Sequence, residues 1–131
     1  MALDLRIRTG KTLLAEPELR VSFNDDGYYW CLHPLFERLR DECGKSIDLY
    51  GDAHFTRDDY PRLRRLLDEA SALAKAKPAT WDVHVGTQVK PTKKALYATV
   101  RRVQLLKLIE TMRNMVETAD RLDGHIECIG G

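Results

Sequence analysis

The sequence predicts an α+β fold in which three main helices pack on a largely antiparallel sheet. Three observations predict it. Segments with strict apolar/polar alternation open and close the chain and recur past its middle. Longer segments with apolar residues at helical spacing lie between them. The strand-like segments come mostly in neighbouring pairs, which favours antiparallel contacts, and separated helices favour covering one sheet face. With 131 residues, 44% of them hydrophobic, the chain fits one domain, residues 1–131, with material for a core.

Leu3, Leu5 and Ile7 alternate with Asp4, Arg6 and Arg8, and Leu19, Val21 and Phe23 repeat the pattern against Glu18, Arg20 and Ser22. Gly10 and Pro17 lie between, so the two runs read as a hairpin with a moderately long loop. Asn24-Asp25-Asp26-Gly27 breaks the second strand and offers side-chain oxygens to cap a helix. That helix is expected over about Tyr28 to Cys43, with Leu32, Leu35, Phe36, Leu39 and Cys43 as its buried stripe and Gly44 as its stop. Pro34 means that it either begins there or is kinked there. Ile47, Leu49 and Tyr50 read as an extended passage or short strand.

Thr56 starts the second helix, with Asp59 three residues on in the position that reaches back, and Phe55 and Tyr60 placed for a hydrophobic staple. Leu63, Leu66, Leu67, Ala70, Leu73 and Ala74 supply its buried face until Pro78. Trp81, Val83 and Val85 then alternate with Asp82 and His84 in a strand ended by Gly86. Leu96, Ala98 and Val100 form the return strand of a hairpin. The last helix is expected from Arg101 to Leu122, buried through Leu105, Leu108, Ile109, Met112, Met115, Val116 and Ala119. Asp123-Gly124 ends it, and His125 to Ile129 returns as a strand.

Charge is unevenly distributed along the chain. Tyr60 to Lys107 holds eleven bases and three acids, a net of +8, whereas Ser22 to Asp59 holds four bases and nine acids, a net of −5. The whole chain is near neutral, at +1. Two arrangements are consistent with this pattern: faces of opposite sign, which would steer partners, or blocks that interleave and cancel. No apolar run approaches the roughly 20 residues of a membrane helix. The N-terminus lacks a signal-peptide core, so a cytosolic chain is expected. Three cysteines, Cys31, Cys43 and Cys128, at unrelated spacings fit reduced thiols rather than a disulfide scaffold.

Catalytic and ligand motifs are missing from the sequence. There is no G-x-x-x-x-G-K-[ST], G-x-G-x-x-G or G-x-S-x-G run, and no cofactor is expected. Asp48, Asp52 and His54 form the richest polar cluster and would serve a small metal-dependent or acid/base enzyme if they converged. Their spacing matches no established metal signature, and loop capping accounts for them. Cys31, His33, His125 and Cys128 lack the tight ligand pairs of a structural zinc site. The expectation is a protein without catalytic activity of its own.

Binding features are stronger. Tyr28, Tyr29 and Trp30 follow one another on a helix, about 100° apart, so they cannot all face one core. Exposed members would anchor a protein contact. The acids Asp48, Asp52, Asp58 and Asp59, if clustered, would steer toward a basic partner. Alternatively the strip Lys90, Lys93, Lys94, Arg101 and Arg102 would meet an acidic one, and the sequence does not choose between them. Only Tyr97 interleaves with that strip, which argues against a nucleic-acid partner.

The runs Gly27-Tyr28-Tyr29-Trp30-Cys31-Leu32-His33-Pro34-Leu35-Phe36-Glu37, Ile47-Asp48-Leu49-Tyr50-Gly51-Asp52 and Pro78-Ala79-Thr80-Trp81-Asp82-Val83-His84-Val85-Gly86 resemble a set of small uncharacterised bacterial proteins. In size and style the chain also resembles the stand-alone immunity proteins that protect bacteria from polymorphic toxins. Such proteins share no single motif, so no functional residue carries over. The resemblance implies a cytosolic protein that binds and masks a toxin domain. A regulatory adaptor would use the same features.

Overall fold

Leu3, Leu5 and Ile7 point to one side of the first strand and are almost fully buried, and this strand organises the main sheet. The computed structural model describes residues 2–14, 16–89, 91 and 93–131. In it β1 (Ala2–Thr9) pairs antiparallel with the two-residue β2 (Thr12–Leu13) and with β3 (Val21–Asn24). The β1–β3 register sets Leu3 opposite Phe23 and Leu5 opposite Val21, the pairing the alternation predicts, although Leu19, expected in the second strand, lies in a 3-10 turn (Pro17–Leu19) before it. On its other side β1 pairs with β7 (His125–Ile129), and β7 pairs with β4 (Asp52–Phe55), again antiparallel.

α1 (Gly27–Cys43), α2 (Tyr60–Lys75) and α3 (Arg102–Arg121) cover the apolar side of this sheet. Their buried stripes, led by Leu32, Phe36 and Leu39, then Leu63, Leu66 and Leu67, then Leu105, Ile109 and Met112, meet Leu5, Ile7, Phe23 and Phe55 in one core. Phe23 stands edge-on to both Tyr29 and Phe36, with ring centres 5.9 and 5.8 Å apart. The opposite sheet face is polar, as the alternation requires: Arg6, Arg8, His54 and Glu127 project from it. No helix among the described residues is long and apolar enough to cross a membrane.

Local chemistry sets the helix ends. Asp26 caps α1, accepting from the Tyr28 and Tyr29 amides at 3.0 and 3.3 Å, and Gly44 closes it in the left-handed conformation at φ 74°. α1 starts before Pro34 and runs through it, so the Trp30 carbonyl loses its usual donor four residues on. The Thr56–Asp59 capping box forms, with a short 3-10 turn (Arg57–Asp59) leading into α2.

A second, two-stranded sheet stands apart from the first. β5 (Thr80–Gln88) and β6 (Lys94–Arg101) form a hairpin whose inner side, Trp81, Val83, Ala98 and Val100, leans on α1. β5 does not end at Gly86: the register shifts between His84 and Gly86, and the strand continues past this bulge to Gln88. Ile47 and Leu49 are buried in irregular chain rather than a strand. The strand begins instead at Asp52, inside the segment expected to be loop. Its short alternation, with only Ala53 and Phe55 facing inward, gives little periodic signal.

Candidate binding groove and the fate of the expected site residues

The basic block does not form a single face. Arg62 and Arg65 of α2 lie 4.0 and 3.9 Å from Glu42 of α1. Arg64 sits 2.7 Å from both Glu117 and Asp120 of α3, which raises its already high pKa through those two hydrogen bonds. Arg113 pairs with Asp68, and Arg38 with Glu69. Along the helices, then, the arginines of α2 are met by acids of α1 and α3, and their charge is locally cancelled.

The cancellation stops at the start of α3. Arg101, the residue preceding this helix, and Lys107, in its second turn, have no acidic partner within ion-pair distance among the described residues. The same is true of Arg20, just before β3. These three cations line a groove of about 500 Å³. Its walls are Val21, Ser22 and Phe23 of β3 on one side and Gln104, Leu108 and Thr111 of α3 on the other, with Tyr28 between. The first turn of α3 carries no acidic residue and its N-cap makes no side-chain hydrogen bond, so the helix dipole adds positive potential where the cations already sit. Asp26, the one carboxylate among the described residues lining the groove, is engaged in capping α1. A cavity of about 210 Å³ between α2 and α3 is the contrasting case, because its charges Arg64, Glu117, Arg113 and Asp68 pair with one another.

The predicted basic strip is therefore divided. Lys93 and Lys94 lie at the far end of the hairpin, and Arg101 at its base, roughly 23 Å away at about 3.3 Å per residue. Arg102 donates to the Lys77 carbonyl at 2.9 Å. Lys90 lies outside the described residues. The hairpin arm is itself exposed: Val89, Leu96 and Tyr97 show 73, 39 and 63% of their surface, more than isolated apolar residues near a core would.

Tyr28, Tyr29 and Trp30 diverge, as their spacing requires. Tyr29 is buried, its hydroxyl donating to the Ile47 carbonyl at 2.9 Å, and burial raises its phenol pKa. Trp30 is half-buried, packed on His33 and donating its indole N–H to Asp25 at 2.5 Å. Tyr28 alone faces the groove, and its hydroxyl accepts from the Arg101 amide at 3.2 Å.

Nor do the acids form one cluster. Asp48 caps its own turn through the Tyr50 amide, and Asp52 accepts from the Gly130 amide at the head of β4. Asp58 and Asp59 lie beyond the other end of that strand. Asp59 is buried: Lys45 Nζ lies 2.6 Å from its Oδ2, and the Thr56 amide donates to the same oxygen. Burial works against the Asp59 carboxylate, but the Lys45 and Thr56 hydrogen bonds prevail and hold its pKa below the usual range. Asp59 is thus a helix cap and Tyr29 a core residue, neither of them open to a partner.

The Asp48, Asp52 and His54 segment does not converge. Asp52 and His54 share the outer face of β4, but His54 Nε2 lies 3.2 Å from Glu127, whose Oε1 also takes the Arg8 Nε hydrogen bond at 2.9 Å. That Arg8 bond lowers the Glu127 pKa against the opposing effect of burial. None of the three lines the groove. His125 and Cys128 point to opposite faces of β7, which separates them as co-ligands, and among the described residues no His, Cys, Asp and Glu side chains gather as a metal set. Burial pushes the Cys31 and Cys128 thiols up to about 12, so neither is an activated thiolate.

Arg20, Gln104 and Lys107 were not among the expected site residues. Arg101, Gln104, Lys107, Leu108 and Thr111 recur at helical spacing beside the buried stripe, a visible signal of a polar helix face. That this face lies across from β3 is tertiary and has no local signature. No family model, curated protein or solved structure matches the chain.

Proposed function

We propose that this chain is a cytosolic protein-binding module that neutralises a cognate bacterial toxin by docking on it and masking it. One observation carries the reading: among the described residues Arg20, Arg101 and Lys107 have no ion-pair partner around an open groove, while the arginines of α2 are matched by acids of the neighbouring helices. Cations held without partners speed encounter with an acidic protein surface and make it orientation-dependent. The exposed hairpin arm with Val89, Leu96 and Tyr97, which runs outward from Arg101, offers apolar contact area of its own away from the groove. The basic surface is favoured over the acidic one because Asp59 and Tyr29 are buried and the remaining acids are split by β4. A non-enzymatic role fits an Asp48, Asp52 and His54 segment whose members hold turns and strands together.

Co-expression with the product of the adjacent gene tests the reading. Toxin neutralisation predicts a stable complex and rescue of cells from that product. Absence of both removes the immunity role; a complex without any toxicity to relieve makes the chain a regulatory adaptor.

A further inference from the structure

Among the described residues, β3 has a strand partner on one side only. It pairs with β1, and no described strand lies along its other edge, so alternate N–H and C=O groups there point away from the sheet. Such an edge is a template for an added strand, and proteins normally cover it. Here the covering element, α3, stands off across the groove of about 500 Å³. The edge and these cations are thus one site: Arg20 precedes β3, while Arg101, at the N-cap of α3, and Lys107, in its second turn, overlook it.

Building on the protein-binding reading, we propose that this edge takes an extended, acidic segment of the partner, added as a further strand between β3 and the first half of α3. Main-chain hydrogen bonds to β3 would supply affinity, and carboxylates on alternate residues would meet Arg101 and Lys107. β3 has four residues, or roughly 13 Å, so a segment of similar length fills it. Charge decides the class of occupant. A second copy pairing edge to edge would bring Arg20 and its companions against their own equivalents, a like-charge contact that opposes the pairing. A small inorganic anion would engage a cation or two and leave the strand edge unpaired.

The test uses the full chain, isotopically labelled, and reads amide shifts and hydrogen exchange. A short peptide of alternating Glu and Val should shift amides at Arg20–Asn24 and Gln104–Thr111 and slow exchange along β3. The same peptide N-methylated on alternate backbone nitrogens should bind at least about tenfold more weakly, and one with Lys for Glu should leave these amides unmoved. Lys107→Glu, checked for an unchanged melting profile, should weaken the acidic peptide by about tenfold. Equal binding of the N-methylated peptide would overturn strand addition. So would inorganic phosphate producing the same shifts and competing, shifts confined to other elements, or a self-associated chain whose β3 is already protected. In co-expression, rescue untouched by Arg20→Glu and Lys107→Glu would sink the strand site while leaving neutralisation standing. Strand addition without rescue would do the reverse.

Discussion

A β-carbon on Gly27 would lie 2.6 Å from Val100 Cγ2, so the first residue of α1 is what lets the β5–β6 hairpin close onto the helix. The same carbon would lie 3.2 Å from the Ala98 carbonyl, a backbone atom with little room to yield. Val100 is fully buried and β-branched, so its methyl does not swing away freely. Gly27 therefore fixes the base of the arm, and with it Arg101, one residue beyond Val100, at the rim of the groove.

Gly27→Ala sets two effects against each other. Alanine gains up to roughly 0.5–1 kcal/mol of helix propensity, while the overpacked contact costs about 1–3 kcal/mol. The clash should win, lowering stability by about 1 kcal/mol in chemical denaturation. Adding Val100→Ala should relieve part of that loss, leaving the double variant less destabilised than the sum of the single ones. A neutral or stabilising Gly27→Ala would show that the hairpin does not pack so closely.

Asp59 and Lys45 link the start of α2 to the end of α1, and the link depends on pH. The folded Asp59 carboxyl has a pKa below its unfolded value, so its contribution is complete above that unfolded value, near 4. It is lost as pH falls through the lower folded value. Asp59→Asn should cost about 1–2 kcal/mol at neutral pH and flatten part of the acid limb of a stability–pH curve. An acid limb identical to that of the unaltered chain would remove Asp59 from it.

Tyr60 makes the corresponding prediction at alkaline pH. Its buried hydroxyl donates to the Gly124 carbonyl at 2.7 Å, joining α2 to the turn before β7. Burial, with the Asp120 and Asp59 carboxylates adding to it, pushes the phenol up to about 12. The unfolded phenol ionises near 10, so stability holds below that value and falls as pH rises toward 12. Tyr60→Phe should cost about 1 kcal/mol near neutrality and shallow that alkaline fall. An unchanged alkaline slope would place the titration elsewhere.

Arg101 stands at the N-cap of α3, where its positive charge opposes the helix dipole and its side chain makes no capping bond. Arg101→Asp supplies both a cap and the favoured sign. It should stabilise the chain by about 0.5–1 kcal/mol in thermal or chemical unfolding. If the groove binds an acidic partner, the same variant should bind it more weakly. A gain in stability with undiminished binding would separate Arg101 from the interface.

Elements with repeated periodic signal were legible in the sequence. Leu3, Leu5 and Ile7 mark β1, the Thr56–Asp59 box marks the entry to α2, and the apolar stripe from Leu105 to Ala119 marks α3. β4 escaped because two inward residues, Ala53 and Phe55, do not establish an alternation, and Asp52 and His54 read as loop. Gly86 reads as a strand end, yet it follows a bulge that the strand passes through. The candidate site was least legible. Lys93, Lys94 and Arg101 are close in sequence and far apart along an extended strand, whereas Arg20 and Arg101 share a groove across 81 positions. Sequence proximity overstates contact on a strand, and pairing across the fold leaves no local trace.

The most direct measurement compares two charge-reversed chains for binding to the adjacent gene product. One carries Arg20→Glu with Lys107→Glu; the other carries Asp48→Lys with Asp58→Lys. The basic-groove account predicts that the first loses affinity by at least about a hundredfold, chiefly through slower association, and also loses salt sensitivity. It predicts that the second binds as the unaltered chain does. Full binding by the first chain with loss by the second would contradict the account and move the interface to the acidic side.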